Sequence, residues 1–286
     1  MLTLRSRWVN KMDKDLLRRV QLAELEILVD VKKVCDENGI GYFLSGGTLL
    51  GAMRHGGFIP WDDDVDIGML RPEFEKFKVI AQEKLGNKYF FQSWDTDSEF
   101  PFASAKVRKI GTLYREATSV NTNFHSELFI DIFPYDNYPD NIDEQMKQGK
   151  EIDTYRKTFM MKSGMTPWKM ANNLVKKMGV YIKNIPYIIR ARSCDKQKEI
   201  ERYTSIMTQY NNSDTAYVFE ECNGTNYGKF VVTRKCIGSL KPISFEGITF
   251  SGPENPDEYL KSIYGDYMQL PPENRRVNHS VVEVVL

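Results

Sequence analysis

The chain is short of three things, and each absence removes a class of protein. The four cysteines, Cys35, Cys194, Cys222 and Cys236, stand far apart with no C-x-x-C pair. That spacing offers neither a disulfide framework nor a zinc ligand set, and it points to reduced thiols. Long apolar runs are also missing: no window approaches the roughly 20 apolar residues of a spanning helix. Residues Met1 to Trp8 lead into Lys/Asp-rich sequence with no apolar core, so no signal peptide is expected and the expected location is cytoplasmic. Finally, an excess of one charge is absent. Lys+Arg and Asp+Glu both number 39, which argues against a generic polyanion binder and against nucleic acid as a partner.

What remains is an ordinary globular composition, 41% hydrophobic and 27% charged over 286 residues. That length suits one large domain or a core with an insertion. Residues 14–38 have apolar positions at helical spacing, among them Leu17, Val20, Ile27, Leu28, Val31 and Val34. The pattern predicts an amphipathic helix stopped at Gly39. Ile40 to Leu44 reads as a short buried strand. Ser45-Gly46-Gly47-Thr48 then forms a turn in which glycine lets the backbone approach a ligand, and Leu49 to Arg54 a short helix whose N-terminus would face a phosphate. An ordinary capped strand–helix turn fits the same residues.

Beyond the break at His55-Gly56-Gly57 comes Asp62-Asp63-Asp64-Val65-Asp66-Ile67. If 63–67 is a strand, Asp64 and Asp66 share one face while Val65 and Ile67 point into the core. Two carboxylates so placed can converge on metal ions about 3.5–4 Å apart, the clamp used for in-line phosphoryl displacement. A solvated acidic loop and a calcium loop are the alternatives. Asp62, Asp64, Asp66 and Glu73 fall at the first, third, fifth and twelfth positions of an EF-hand, but the sixth is Ile67 where glycine is needed.

Arg71 to Gly86 reads as a second amphipathic helix, and Tyr89 to Trp94 and Ala105 to Ile110 as strands. Lys106 and Arg108 share a face, as a phosphate-neutralising pair or as a solvated edge. Leu128 to Pro134 is an apolar strand interrupted by Asp131. An aspartate there is costly unless paired or metal-bound. Asp131 is therefore a candidate third carboxylate, able to take a proton from an attacking hydroxyl, with a turn cap at Pro134 to Asp136 as the alternative.

Residues 141–215 read mostly as helices. Between Asp153 and Asp195 there is no acidic residue, against nine cations. Interleaved apolar residues make 154–194 a candidate membrane-surface patch or anionic-polymer dock, or a helical insertion packed on the core. After Ser213 the chain returns to strands, with a hairpin centred on Glu246-Gly247, a short helix over Pro256 to Tyr264, and a basic tail, Arg275, Arg276 and His279.

Four ordered motifs carry a family resemblance: Ser45-Gly46-Gly47-Thr48-Leu49-Leu50-Gly51-Ala52; Trp61 to Ile67; Phe129-Ile130-Asp131-Ile132-Phe133-Pro134; and Tyr264-Gly265-Asp266-Tyr267-Met268 with Leu270-Pro271-Pro272. Together they resemble the LicD family, related to fukutin and fukutin-related protein; residues 141–215 carry no motif of it. The resemblance implies an α+β, nucleotidyltransferase-type mixed sheet with flanking helices. The core would comprise 1–140 and 216–286, with 141–215 as a helical insertion. It implies Mg²⁺-dependent transfer of phosphocholine from CDP-choline to a sugar hydroxyl of teichoic acid or another cell-surface glycan, with release of CMP. By the same resemblance Asp64 and Asp66 would bind Mg²⁺ with Asp131 as the third carboxylate of the metal site, and Gly46, Gly47 and Thr48 would hold the pyrophosphate; the residue pattern adds Ser45 of the same turn and the Lys106 and Arg108 pair as candidate phosphate contacts, and the two-carboxylate spacing adds two ions. The fukutin branch uses CDP-ribitol. A quaternary ammonium favours aromatic faces, for which Trp61, Trp94, Tyr135 and Phe219 are candidates. A lipid-linked acceptor would suit peripheral contact with the inner face of the plasma membrane. Two rivals stay open here: a nucleotidyl transferase on the same core, and a calcium-stabilised glycan-binding protein.

Overall fold

The computed structural model describes residues 12–171, 173–220 and 230–286. In chain order the elements are α1 (Lys14–Asn38), β1 (Phe43–Leu44), α2 (Gly46–His55), β2 (Asp66–Leu70), α3 (Arg71–Leu85), β3 (Tyr89–Gln92), β4 (Ala105–Lys109), β5 (Leu113–Glu116) and β6 (Phe129–Tyr138). They continue as α4 (Ile142–Lys162), α5 (Leu174–Ser193), α6 (Lys196–Thr208), β7 (Tyr217–Glu220), β8 (Val231–Thr233), α7 (Arg234–Ile237), β9 (Lys241–Phe245), β10 (Ile248–Gly252), α8 (Pro256–Tyr264) and β11 (Val281–Val285).

The main sheet is mixed and runs β1-β2-β6-β4-β3, with β7 and β8 added along the far half of β6. Strand β6 makes this possible by its length. Phe129 to Ile132 pair with β4 and Tyr135 to Tyr138 with β7, while Asp131 to Tyr135 run parallel to β2 on the other side. With neighbours on both edges, β6 is buried along its whole length except at Asp131 and Asn137. The three helices α4 to α6 lie between β6 and β7 in the chain, yet those two strands pair directly. The fold class expected from the sequence, α+β with a mixed sheet and flanking helices, is the one observed.

Helix α1 covers the sheet with Leu17, Val20, Ile27, Leu28, Val31 and Val34, all buried. Each such side chain contributes about 1.5–3 kcal/mol by leaving water. Asp13 caps its first turn through Leu16 N–H, and Gly39 ends it in the left-handed region. Gln21 on the same buried face donates to the carbonyls of Ile59 and Asp62, so α1 also holds the aspartate loop. At the other end of that loop, Arg71 pairs with Asp136 through Nε (2.8 Å) and Nη2 (2.5 Å), joining α3 to β6. Asn211, just beyond α6, donates to the same carboxylate. The β9–β10 hairpin turns on Glu246 and Gly247, both at positive φ, as a two-residue turn of this hand requires.

Two local expectations change. The strand begins at Asp66, so Asp64 stands in the extended approach to it rather than within it. Helix α2 begins at Gly46, so the glycines are its first turn and not a loop ahead of it. Cys35, Cys194 and Cys236 are free thiols; Cys222 and Met1 to Trp8 lie outside the described residues.

Candidate active site

Register across three strands builds the centre of the site. Asp66 on β2 stands opposite Asp131 on β6, and Asp131 opposite Lys106 on β4. Side chains in lateral register project to the same face of a sheet. Two acids and a base therefore lie in a row. Lys106 Nζ donates to both carboxylate oxygens of Asp131, at 2.6 and 2.8 Å, and sits 3.5 Å from the centre of the Phe129 ring. The turn-cap alternative for Asp131 fails because β6 runs on through Pro134 to Tyr138. The solvated-edge alternative for Lys106 and Arg108 fails because both are buried.

An open cavity of about 210 Å³ lies over this row, with Asp63, Asp64, Asp66, Asp131, Lys106 and His279 in its wall. Phe102, Tyr114, Glu116, Phe129, Phe133 and Met165 complete most of the rest. Asp64, Asp66, Asp131 and Lys106 are thus brought together. Arg108 is not in the wall: its guanidinium donates to Gln92 and to the Glu127 carbonyl, and burial lowers its pKa to about 10. Of the aromatic candidates, Trp61, Trp94, Tyr135 and Phe219 do not line the cavity. Tyr135 is spent on Glu220 and Tyr259, while Trp94 packs on Phe159 and Tyr203. The aromatic wall is Phe102, Tyr114, Phe129 and Phe133 instead.

The glycine turn meets the carboxylates rather than the open cavity. A Cβ on Gly46 would stand 2.8 Å from Asp66 Oδ2, and one on Gly47 2.8 Å from Asp62 Oδ2. Thr48 Oγ1 accepts from the Asp66 N–H at 2.8 Å, and Ser45 N–H donates to the Asp66 carbonyl. Ser45 Oγ is buried with no hydrogen-bond partner among the described residues. The positive end of the α2 dipole is therefore directed at Asp62 and Asp66, where it favours their ionised forms. Gly46 has φ +51°, which a side chain resists. Gly46→Ala is expected to cost about 1–2 kcal/mol and, by displacing the Asp66 carboxylate, to lower turnover about tenfold or more. Thermal unfolding and steady-state kinetics on one preparation check both parts.

Negative charge dominates this region. Burial, then repulsion from Asp64, raises the Asp62 and Asp66 pKa values well above the usual carboxylate range, and burial raises that of Asp64. Beneath them Glu24 of α1 is buried, its Oε2 has no partner, and burial followed by repulsion from Asp64, Asp63, Asp62 and Asp66 pushes its pKa up. The counter-charges are Lys106 and His279. His279 donates through its backbone N–H to Asp63, and its Nδ1 stands 2.9 Å from Asp63 Oδ1. That hydrogen bond raises the imidazole pKa to about 11, so His279 is a cation at neutral pH. Tyr114 donates to the other Asp63 oxygen at 2.6 Å.

Tyr114, Glu116 and His279 reach the site through the antiparallel pairing of β11 with β5, two strands the sequence did not announce. His279 stood out only as part of a basic tail. Tyr114 carried no signal, since its role depends on a partner 51 residues away.

An oxygen-only carboxylate set with unbalanced, mutually raised pKa values fits a hard divalent cation such as Mg²⁺. Among the described residues no three His, Cys, Asp or Glu side chains converge into a ready-made metal cage. Asp131 in particular is taken up by Lys106. The calcium-loop alternative fails on geometry: 66–70 is a strand, and Glu73 accepts from Gly41 N–H and Lys76 instead of turning back to the aspartates.

Comparison with known proteins places these features in a family. Residues 39–180 match the family described as LicD/FKTN/FKRP, nucleotidyltransferase domain. The match holds α2, the aspartate loop, Lys106 and Asp131, and it runs into α5, beyond the motifs legible by eye. The chain is similar to a protein of Haemophilus influenzae (strain ATCC 51907 / DSM 11121 / KW20 / Rd) named lipopolysaccharide cholinephosphotransferase LicD. The two are 29% identical over 289 residues, covering 96% of this chain and 100% of the relative. It also resembles mouse ribitol 5-phosphate transferase FKRP, at 35% identity over 108 residues, 38% of this chain and 19% of that protein. An uncharacterized protein of Rickettsia prowazekii (strain Madrid E) is 42% identical over 67 residues, 23% of this chain and 25% of the relative. From the strand register, the aspartate loop and these similarities together, residues 39–180 of the chain are a nucleotidyltransferase domain of the LicD/FKTN/FKRP family.

Proposed function

We propose that the chain is a phosphotransferase that moves phosphocholine from CDP-choline to a sugar hydroxyl of a cell-surface glycan, such as a teichoic acid precursor, and releases CMP. The observation that carries this reading is the row Asp66–Asp131–Lys106 across three adjacent strands beneath an open, aromatic-walled cavity. The relative named a lipopolysaccharide cholinephosphotransferase, which aligns along almost this whole chain, supports both the transferred group and the glycan acceptor.

Asp64 and Asp66, with Asp131 beside them, are the residues that would hold Mg²⁺. When bound, the ion neutralises charge on the pyrophosphate and on the departing CMP. The protein's own groups do the rest. Lys106 exchanges Asp131 for a phosphate oxygen of the incoming donor. Asp131, released from that pair, accepts the proton of the attacking sugar hydroxyl. His279, held as a cation by Asp63, adds positive charge at the same wall. The α2 N-terminus lies against Asp62 and Asp66, where its dipole offsets part of their mutual repulsion. Phe102, Tyr114 and Phe133 are the aromatic wall residues that a quaternary ammonium would meet, the Phe129 ring already carrying Lys106.

The test is product analysis with CDP-choline, Mg²⁺ and candidate glycans, run beside CDP-ribitol because of the similarity to a ribitol 5-phosphate transferase. CMP release with phosphocholine appearing on the glycan is the expected result. Transfer of CMP to the glycan would instead establish the nucleotidyl-transfer rival. Nucleotide-independent glycan binding with no product would remove the enzyme reading.

A further inference from the structure

Helix α5 is packed on one side and bare on the other. Its C-terminal half is anchored: Lys162 Nζ donates to the carbonyls of Ala191 and Cys194, Arg190 pairs with Glu199, and the Arg190 guanidinium lies 4.8 Å from the Tyr155 ring centre. The opposite face is apolar and in solvent. Leu174, Met178, Ile182, Ile185 and Ile189 recur at steps of four, four, three and four residues, and Leu174 and its neighbour Val175 are 72% and 80% exposed. At 100° per residue these six side chains fall within an arc of about 100°. The flanks are basic. Lys183 and Lys176 lie about 80° and 100° beyond one edge of the arc, Lys177 about 60° beyond the other, and Arg192 on that edge at the C-terminal end, so the long lysine stems have to reach round toward headgroups. All four are exposed, and they form no ion pair among the described residues.

We infer that α5 is an interfacial helix, which lays its apolar arc into the surface of an anionic lipid bilayer while its lysines bind the headgroups. Three features select that occupant. A continuous apolar stripe has no use for a soluble polyanion, which the lysines alone would bind. Docking of a second copy through this face would bring two sets of unpaired cations together without a counter-charge. The helix also cannot cross the membrane, since no helix of the described residues is long and apolar enough. An apolar arc flanked by Lys and Arg along one surface helix is the arrangement that binds parallel to an interface.

The docking helix is tied to the cavity. Thr166, in the connection from α4 to α5, donates its N–H to the Thr118 carbonyl, and both Thr118 and the adjacent Met165 line the wall. The inference does not depend on which group is transferred, because the assay below contains no nucleotide.

Co-sedimentation of the full chain with vesicles tests it. Binding to vesicles containing phosphatidylglycerol, and not to phosphatidylcholine alone, is the expected result. The variant Leu174→Glu/Met178→Glu/Ile182→Glu is expected to lose binding at least about tenfold, with its melting temperature unchanged because the altered side chains are exposed. Charge reversal by Lys176→Glu/Lys177→Glu/Lys183→Glu should do the same, and added salt should weaken the wild type. No binding by the wild type, equal binding to neutral vesicles, or full binding by the apolar variant overturns the proposal. A dimer seen by light scattering that the apolar variant dissolves, without vesicle binding, assigns the face to a second copy instead.

Discussion

Replacing Asp66 by Asn is expected to abolish turnover, by about a thousandfold or more, while the protein stays folded. The carboxylate is buried on β2, in register with Asp131, and a Cβ on Gly46 would stand 2.8 Å from its Oδ2. Yet it contributes little to stability, because it is one of several carboxylates raising one another's pKa values. Removing its charge relieves repulsion, so the melting temperature should hold or rise slightly, the pattern of a site that trades stability for activity. Asp64→Asn should behave alike. Stabilisation by added Mg²⁺, seen as a shift in thermal unfolding of the wild type, should shrink in both variants. Full activity in either would sink the assignment of these aspartates to the metal.

Lys106→Met has the largest expected effect on folding. Lys106 and Asp131 are 10% and 13% exposed, and Asp131 receives both of its short hydrogen bonds from that one ammonium. Methionine of similar length leaves a partly buried carboxylate without its ion-pair partner, with Arg108 the remaining cation near it, a loss of about 3 kcal/mol. In a protein of this size that lowers the melting temperature by on the order of 10 °C. The double variant Lys106→Met/Asp131→Asn should regain most of the stability and none of the activity. A double-mutant cycle by denaturant unfolding measures the coupling. Simple additivity of the two single variants would show that the pair is not the stabilising unit.

The two variants separate what the same row of residues does. Asp66 carries an electrostatic cost in the folded chain, which the proposed metal role would offset. The Lys106–Asp131 pair is self-compensating until a phosphate competes for the lysine. In the proposed reaction that competition would make the row responsive to substrate, with Asp131 freed as the base.

Much of the fold was legible because it rests on short-range chemistry. The α1 stripe, its stop at Gly39, the Glu246-Gly247 hairpin and the Pro256 to Gly265 helix all follow from neighbours a few residues apart. The aspartates are legible for a related reason: charge in an apolar strand has to be compensated, which singles out Asp131, and the alternation of Asp64, Val65, Asp66 and Ile67 singles out Asp66. Register is not. That Lys106 faces Asp131 while Arg108 turns to Gln92 and Glu127 depends on how β4 lies against β6 and β3, and period-two alternation cannot distinguish the two cations.

By itself, then, the amino-acid sequence determined the local elements, the family motifs and the identity of the acidic residues, because helix period, turn chemistry and the cost of buried charge act over a few residues. Only the tertiary structure decided what those residues meet. It turned the glycine helix onto Asp62 and Asp66, closed the cavity with His279 from the β11 end, and left one face of α5 bare. Each of these outcomes depends on contacts between segments distant in the chain, and such contacts are selected by packing and strand register over the whole molecule.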